Sequence, residues 1–205
     1  SKDNIPFLLH DDLLDRTTTG TGYPYNYLYK EILNLDAGSW FNKKFCNVYP
    51  PTLEEVLIFC SNNKIGINIE LKPNKGKEKE NVNAISSLIN KKKLNFEYYF
   101  SSFDYLSLEL IKSKMPNASL GYLINHFEES FFLNSIIKDT LNLKCFSIGF
   151  NLKTINKTLV KSCKENNLKV TVYSDKNIEY KTALSLWGMG VDSIFVDNPI
   201  CYNRD

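Results

Sequence analysis

Apolar and polar positions follow two periods along this chain, and the switches between them mark out most of its elements. A short apolar run at 5–9 stops abruptly at His10-Asp11-Asp12, which reads as a buried strand followed by a polar loop. From Arg16 to Tyr29 neither period holds. Thr17-Thr18-Thr19-Gly20-Thr21-Gly22 and the tyrosines around Pro24 predict an ordered, turn-rich excursion there. Regularity begins after Pro50-Pro51. Thr52 is a good helix N-cap and Glu55, three residues on, completes a capping box. Leu53, Val56, Leu57 and Cys60 then mark one helical face, which Asn62-Asn63 end. Beyond that, strands are predicted at 66–71, 98–101, 120–124, 145–150, 170–173 and 193–196, with helices between them at 82–92, 104–114, 128–141, 155–166 and 177–187.

Strands alternating with helices at this spacing predict an α/β fold with a parallel sheet. No low-complexity linker interrupts the series, so residues 1–205 are expected to form a single domain with a small insertion at about 11–50. A doubly wound sheet and a (β/α)8 barrel both fit the alternation. The polar residues that follow the strands fit the barrel: Glu70 and Lys72, Ser102, Asn151, Tyr173 with Ser174, and Asp197. Barrel enzymes gather their sites from the C-terminal ends of many strands.

Composition narrows the classes. Apolar residues make up 43% and charged ones 23% of the 205, which supports a sizeable core and excludes disorder as the main state. A net charge of +2 is too small to point to nucleic acid, and the basic stretch Lys91-Lys92-Lys93 reads as a solvated helix face. Five cysteines without a CxxC spacing and only two histidines argue against a disulfide framework or a zinc site; a reducing cytoplasm is expected. No run approaches the roughly 18 apolar residues of a membrane span. The chain opens on Ser1-Lys2-Asp3-Asn4 without an initiator Met, so its natural N-terminus is expected to lie upstream.

Few residues can carry chemistry. His10 ends an apolar run beside two carboxylates, where an imidazole can exchange protons near neutral pH and Asp11 or Asp12 can orient the ring; a surface histidine beside a solvated turn is the plainer reading. Glu70 closes a strand, and Lys72 projects from the same face two residues on. That pair suits a divalent cation beside a phosphate, or equally a structural ion pair. His126 reads as a capping or surface residue, and Tyr173 alone among the strand-end aromatics stands where it could line a cleft.

In order, the segments Leu8-Leu9-His10-Asp11-Asp12-Leu13-Leu14-Asp15-Arg16-Thr17-Thr18, Leu35-Asp36-Ala37-Gly38-Ser39-Trp40-Phe41, Asn68-Ile69-Glu70-Leu71-Lys72-Pro73, Ser101-Ser102-Phe103 and Gly190-Val191-Asp192-Ser193-Ile194-Phe195-Val196-Asp197-Asn198-Pro199 resemble the glycerophosphodiester phosphodiesterase family, bacterial cytosolic type. The resemblance runs nearly the whole length. It implies a TIM barrel that hydrolyses glycerophosphodiesters to glycerol 3-phosphate and an alcohol, using two histidines and a divalent cation, Mg or Ca. It further implies His10 as a catalytic histidine, Glu70 as a metal ligand, Lys72 as a phosphate contact and Tyr173 as a substrate-facing residue where many members carry Trp. The family's His-Arg-Gly strand and Glu-x-Asp pair do not occur in these residues. The expectation is a barrel lacking its first βα unit and second strand, inactive alone and possessing open sheet edges that a homo-oligomer would cover. A non-catalytic barrel remnant that binds a phosphate ligand or a protein is the alternative.

Overall fold

A computed structural model of the chain describes residues 1–92, 94–125 and 133–202. The chain forms two compact units, Ser1–Tyr98 with Ser113–Pro116, and Tyr99–Lys112 with the chain from Asn117 onward. Six strands alternate with helices in the order expected, which makes this an α/β protein.

The first unit opens irregularly. Residues 5–9, expected as a strand, do not form one; Phe7 makes only an isolated antiparallel bridge to Thr52. Two further bonds flank it, Leu8 N–H to Pro51 O at 2.9 Å and Leu53 N–H to Pro6 O at 2.9 Å. A longer ladder is blocked because Pro6, Pro50 and Pro51 have no N–H to donate. The excursion that follows is ordered by one-turn helices, including α1 (Tyr29–Ile32), and by side-chain hydrogen bonds. Helix α2 (Leu53–Asn63) begins with the predicted capping box: Thr52 Oγ1 accepts from Glu55 N–H at 3.1 Å, and Glu55 Oε2 accepts from Thr52 N–H at 2.7 Å. It buries Leu53, Leu57 and Cys60 and stops at Lys64, whose φ of 54° is left-handed. Strand β1 (Ile67–Glu70) and helix α3 (Glu78–Lys92) follow. α3 begins one turn earlier than the apolar period indicates, because its first turn is polar, with Glu78 and Glu80.

The second unit holds β2 (Tyr98–Ser102, apart from its first residue), α4 (Tyr105–Lys114), β3 (Leu120–Ile124), α5 (Leu133–Asn142), β4 (Ser147–Asn151), α6 (Lys157–Glu165), β5 (Lys169–Tyr173), α7 (Tyr180–Met189) and β6 (Ser193–Ile194). Strands β2 to β6 pair in parallel with their neighbours in sequence. The register divides their residues between two faces. Ile124, Ile148, Phe150, Val170 and Val172 join buried side chains of α5, α6 and α7 in one apolar cluster. The opposite face is lined mostly by small or polar residues, with Ser101 opposite Gly121, Gly121 opposite Ser147, and Gly149 between Leu123 and Thr171. A β-carbon on Gly149 would stand 2.5 Å from Leu123 Cδ2 and 2.8 Å from Thr171 Oγ1, so that face is closely packed.

All five cysteines are free thiols. Among the described residues no helix is long and apolar enough to cross a membrane. Gly149→Val is expected to destabilise the protein by about 1–3 kcal/mol through overpacking. Urea unfolding followed by circular dichroism measures this, and an unchanged midpoint would mean that this face has room to spare.

Candidate active site

The candidate site lies in the first unit and is built by the polar segment after residue 9 and the end of β1. The segment is locked first by charge. The Arg16 guanidinium grips the Asp11 carboxylate through Nε at 2.5 Å and Nη2 at 2.6 Å, and His10 Nδ1 lies 2.8 Å from Asp11 Oδ1. Arg16, then His10, hold the Asp11 carboxyl well below the usual carboxylate range. Of the two carboxylates expected beside the imidazole, the structure chooses Asp11. Asp12 instead gives its backbone carbonyl to Asn74 Nδ2 at 2.9 Å.

Glu70 and Lys72 do share a face. Lys72 Nζ stands 3.6 Å from Glu70 Oε1 and donates to the His10 carbonyl at 3.2 Å. Both side chains are about 30% exposed, at 32% and 29%. A pair that open to solvent contributes under ~1 kcal/mol to stability. Its consequence is positional, because one ammonium ties the end of β1 to the histidine segment. His10, Glu70 and Lys72 line one pocket of about 530 Å³, together with Trp40, Asn68 and Asn81. The Asn68 and Asn81 Oδ1 atoms are buried and have no hydrogen-bond partner among the described residues.

Tyr173 lies in the second unit, at the end of β5. Its hydroxyl donates to the Ile124 carbonyl at 2.7 Å, and its ring meets Phe103 edge-on at 5.4 Å. Two other strand-end residues serve local turns: Ser102 Oγ accepts from Asp104 N–H at 3.0 Å, and Asn151 Oδ1 from Lys153 N–H at 2.9 Å. His126 lies outside the described residues.

Several contributors escaped the sequence reading. Arg16 carries a signal, a lone cation five residues after a carboxylate in a turn-rich segment. Asp36 carries a clearer one, Asp-x-Gly-Ser, which is the composition of an Asx turn. Its carboxylate accepts from Gly38 N–H at 2.8 Å, Ser39 N–H at 2.9 Å, Ser39 Oγ at 2.6 Å and Asn47 N–H at 3.1 Å. These bonds close the loop that presents Trp40 to the pocket, with Arg16 stacked on the indole at 5.4 Å. Asn81, inside a helix, carries none.

Among the described residues no three His, Cys, Asp or Glu side chains converge as a metal site would require. The Glu70 carboxylate and the Asn68 amide oxygen on the same strand are hard donors of the type Mg²⁺ and Ca²⁺ take, and so fit part of such a ligand set.

An α/β chain with an imidazole, an ammonium and a carboxylate in one pocket at a strand end has the makings of an enzyme acting on a phosphorylated small molecule. Comparison with known proteins gives the class a family. The glycerophosphoryl diester phosphodiesterase family model matches residues 1–201, and the chain belongs to that family of enzymes. It is 30% identical to a glycerophosphodiester phosphodiesterase of Caldanaerobacter subterraneus over 97% of its own length and 79% of the relative's. A phosphodiesterase of Oleispira antarctica, solved with the product sn-glycerol-3-phosphate, superposes with a TM-score of 0.85 at 31% identity, covering 95% of this chain and 76% of that one. A glycerophosphodiester phosphodiesterase from Agrobacterium tumefaciens shares the fold, with a TM-score of 0.78 at 22% identity.

The Asp36 carboxyl is also held well below its usual range, by Ser39 first and then by the backbone N–H groups of Ser39, Gly38 and Asn47. A depressed folded pKa gives stability that is complete above the unfolded value, near 3.8, and lost as pH falls through the folded one. Acid should therefore loosen the 36–47 loop only below about pH 4. Asp36→Asn should loosen it at neutral pH, as faster amide exchange at Ser39 and Asn47. Unchanged protection in the variant would assign the loop's order to other contacts.

Proposed function

We propose that this chain carries part of the active site of an enzyme that hydrolyses glycerophosphodiesters to glycerol 3-phosphate and an alcohol. The observation that carries the reading is the double contact of Lys72, which brings imidazole, carboxylate and ammonium to one pocket. A phosphodiester anion repels an attacking oxygen, so charge on its oxygens must be neutralised as the reaction proceeds. Lys72 is the phosphate contact in this reading, able to exchange its hold on Glu70 for a hold on substrate. His10 is the acid/base residue. With Asp11 ionised and acceptor-only, His10 Nδ1 is the donor of their bond, which leaves Nε2 to exchange a proton with substrate. Tyr173 is the substrate-facing residue, set at a strand end by its bond to the Ile124 carbonyl.

Glu70 is the ligand for a divalent cation, Mg or Ca, with the unpartnered Asn68 Oδ1 beside it in the strand. When bound, such an ion supplies Lewis-acid stabilisation to the phosphoryl oxygens. One carboxylate does not hold a hard cation firmly, and one imidazole does not serve efficiently as both acid and base. The reading therefore needs a His-Arg-Gly and a Glu-x-Asp segment in addition to these residues. It takes residues 1–205 as one domain with an insertion at about 11–50, supplying six strands of a (β/α)8 barrel without its first βα unit and second strand. The parallel pairing of β2 to β6 in sequence order, with a helix between each strand and the next, supports this, since a (β/α)8 barrel is built from that repeat. The family type supports a cytoplasmic location, and the two sheet edges of an open barrel would be covered in a homo-oligomer.

These 205 residues alone should turn over glycerophosphocholine at close to the uncatalysed rate and take up Mg²⁺ only weakly by calorimetry. Efficient turnover would remove the need for the additional segments. In enzyme that carries those segments, His10→Ala should lower kcat by roughly 10² to 10⁴. Near-normal turnover in that variant would take His10 out of the mechanism.

A further inference from the structure

Besides presenting Trp40 to the pocket, the loop closed by Asp36 carries an exposed aromatic face. It turns three aromatic rings outward: Phe41 is 71% exposed, Trp40 52% and Phe45 40%. The rings pack on one another, with centroids 5.8 Å apart for Trp40 and Phe41 and 5.9 Å for Phe41 and Phe45. Between them stand Lys43 and Lys44, neither ion-paired to a carboxylate among the described residues; Lys44 Nζ lies over the Phe45 ring at 4.8 Å. An exposed cluster of this kind marks an interaction surface.

We infer that this loop docks on the surface of an anionic lipid bilayer, with its rings at the headgroup–acyl boundary and its lysines among the headgroups. Three observations favour lipid over a packed protein face. Rings and ammoniums are interleaved, which suits a boundary that is apolar on one side and charged on the other. The Trp40 Nε1–H already donates to the Ala37 carbonyl at 2.9 Å, so the indole can enter an apolar layer without stranding a donor. Finally, Asp36 is the only acidic residue from 34 to 53, and its carboxylate is consumed by four donors inside the loop, so the free charges that this segment itself displays are cationic. The loop is also pre-formed, since Ala37 N–H donates to Val48 O at 2.6 Å and Asn42 caps the turn at 43–45. Docking thus costs little ordering entropy. Gly38 makes the closure possible: a β-carbon there would lie 2.0 Å from the Phe45 carbonyl oxygen.

The inference does not depend on the phosphodiesterase reading, and vesicle binding tests it directly. Trp187→Phe leaves Trp40 as the only tryptophan. That protein should co-sediment with vesicles of phosphatidylcholine containing phosphatidylglycerol, with a blue shift in Trp40 emission, and should not do so with phosphatidylcholine alone. Salt should weaken the binding. Lys43→Gln with Lys44→Gln should lower the partition coefficient about twenty-five-fold, at roughly fivefold per lysine. Phe41→Ser, at a position too exposed to unfold the protein, should abolish the blue shift while leaving the circular dichroism spectrum unchanged. Failure to bind anionic vesicles, or equal binding by the lysine variant, overturns the inference. So does a concentration-dependent dimer that shields Trp40 without lipid, which would assign the face to a second copy of the chain.

Discussion

The candidate site depends on where the Lys72 ammonium is held. A lysine two residues past the end of a strand would ordinarily sample many rotamers in water. Here it has two acceptors on different segments, the Glu70 carboxylate and the His10 carbonyl. Neither contact contributes much to stability, because both side chains remain partly solvated. Together they fix a distance, that between a strand end and a loop 62 residues earlier in the chain. In the proposed reading, a phosphate at the pocket would meet a cation already in place, beside an imidazole whose Nδ1 is turned to Asp11. That reading would make the arrangement preorganised for an anionic substrate, as electrostatic catalysis requires.

The segment that bears His10 has almost no regular secondary structure, yet it is ordered. Its organisation comes from hydrogen bonds, some exposed and some buried, to a few carboxylates and carbonyls. Arg16 on Asp11, the four donors on Asp36, and the Tyr29 hydroxyl on the Pro50 carbonyl at 2.9 Å each close a stretch of chain that no ladder could close. Tyr29 is held protonated, its pKa raised to about 12 mainly by burial, so it remains a donor throughout the neutral range. Such closures tolerate a variable loop surface, which leaves the outer residues at 40–45 open to a second use.

The second unit is organised differently. Its parallel strands place large apolar residues against helices and small ones on the other face, and the helices' buried stripes complete the cluster. Tyr173 is an exception among these residues: on the small-residue face, at a strand end, with its hydroxyl bonded across β4 to the Ile124 carbonyl of β3. Its setting gives it a fixed ring orientation whatever it faces in the working enzyme.

The sequence alone determined the order and type of the regular elements, because each carries its own period and its own stop signals. The Thr52–Glu55 box, the apolar stripes of the helices and the β-branched strands 170–172 are local facts, legible without coordinates. It also determined the family, through motifs whose order is more specific than any one of them, and the shared face of Glu70 and Lys72, which follows from strand geometry. Only the tertiary structure decided which carboxylate orients His10, that Lys72 reaches the His10 backbone, and that residues 5–9 form a single bridge and not a strand. These outcomes depend on partners tens of residues away, on donors that prolines withhold, and on side-chain directions that no local period encodes. Long-range hydrogen bonds select among conformations that the local chain permits equally, and that selection occurs only when the chain is folded.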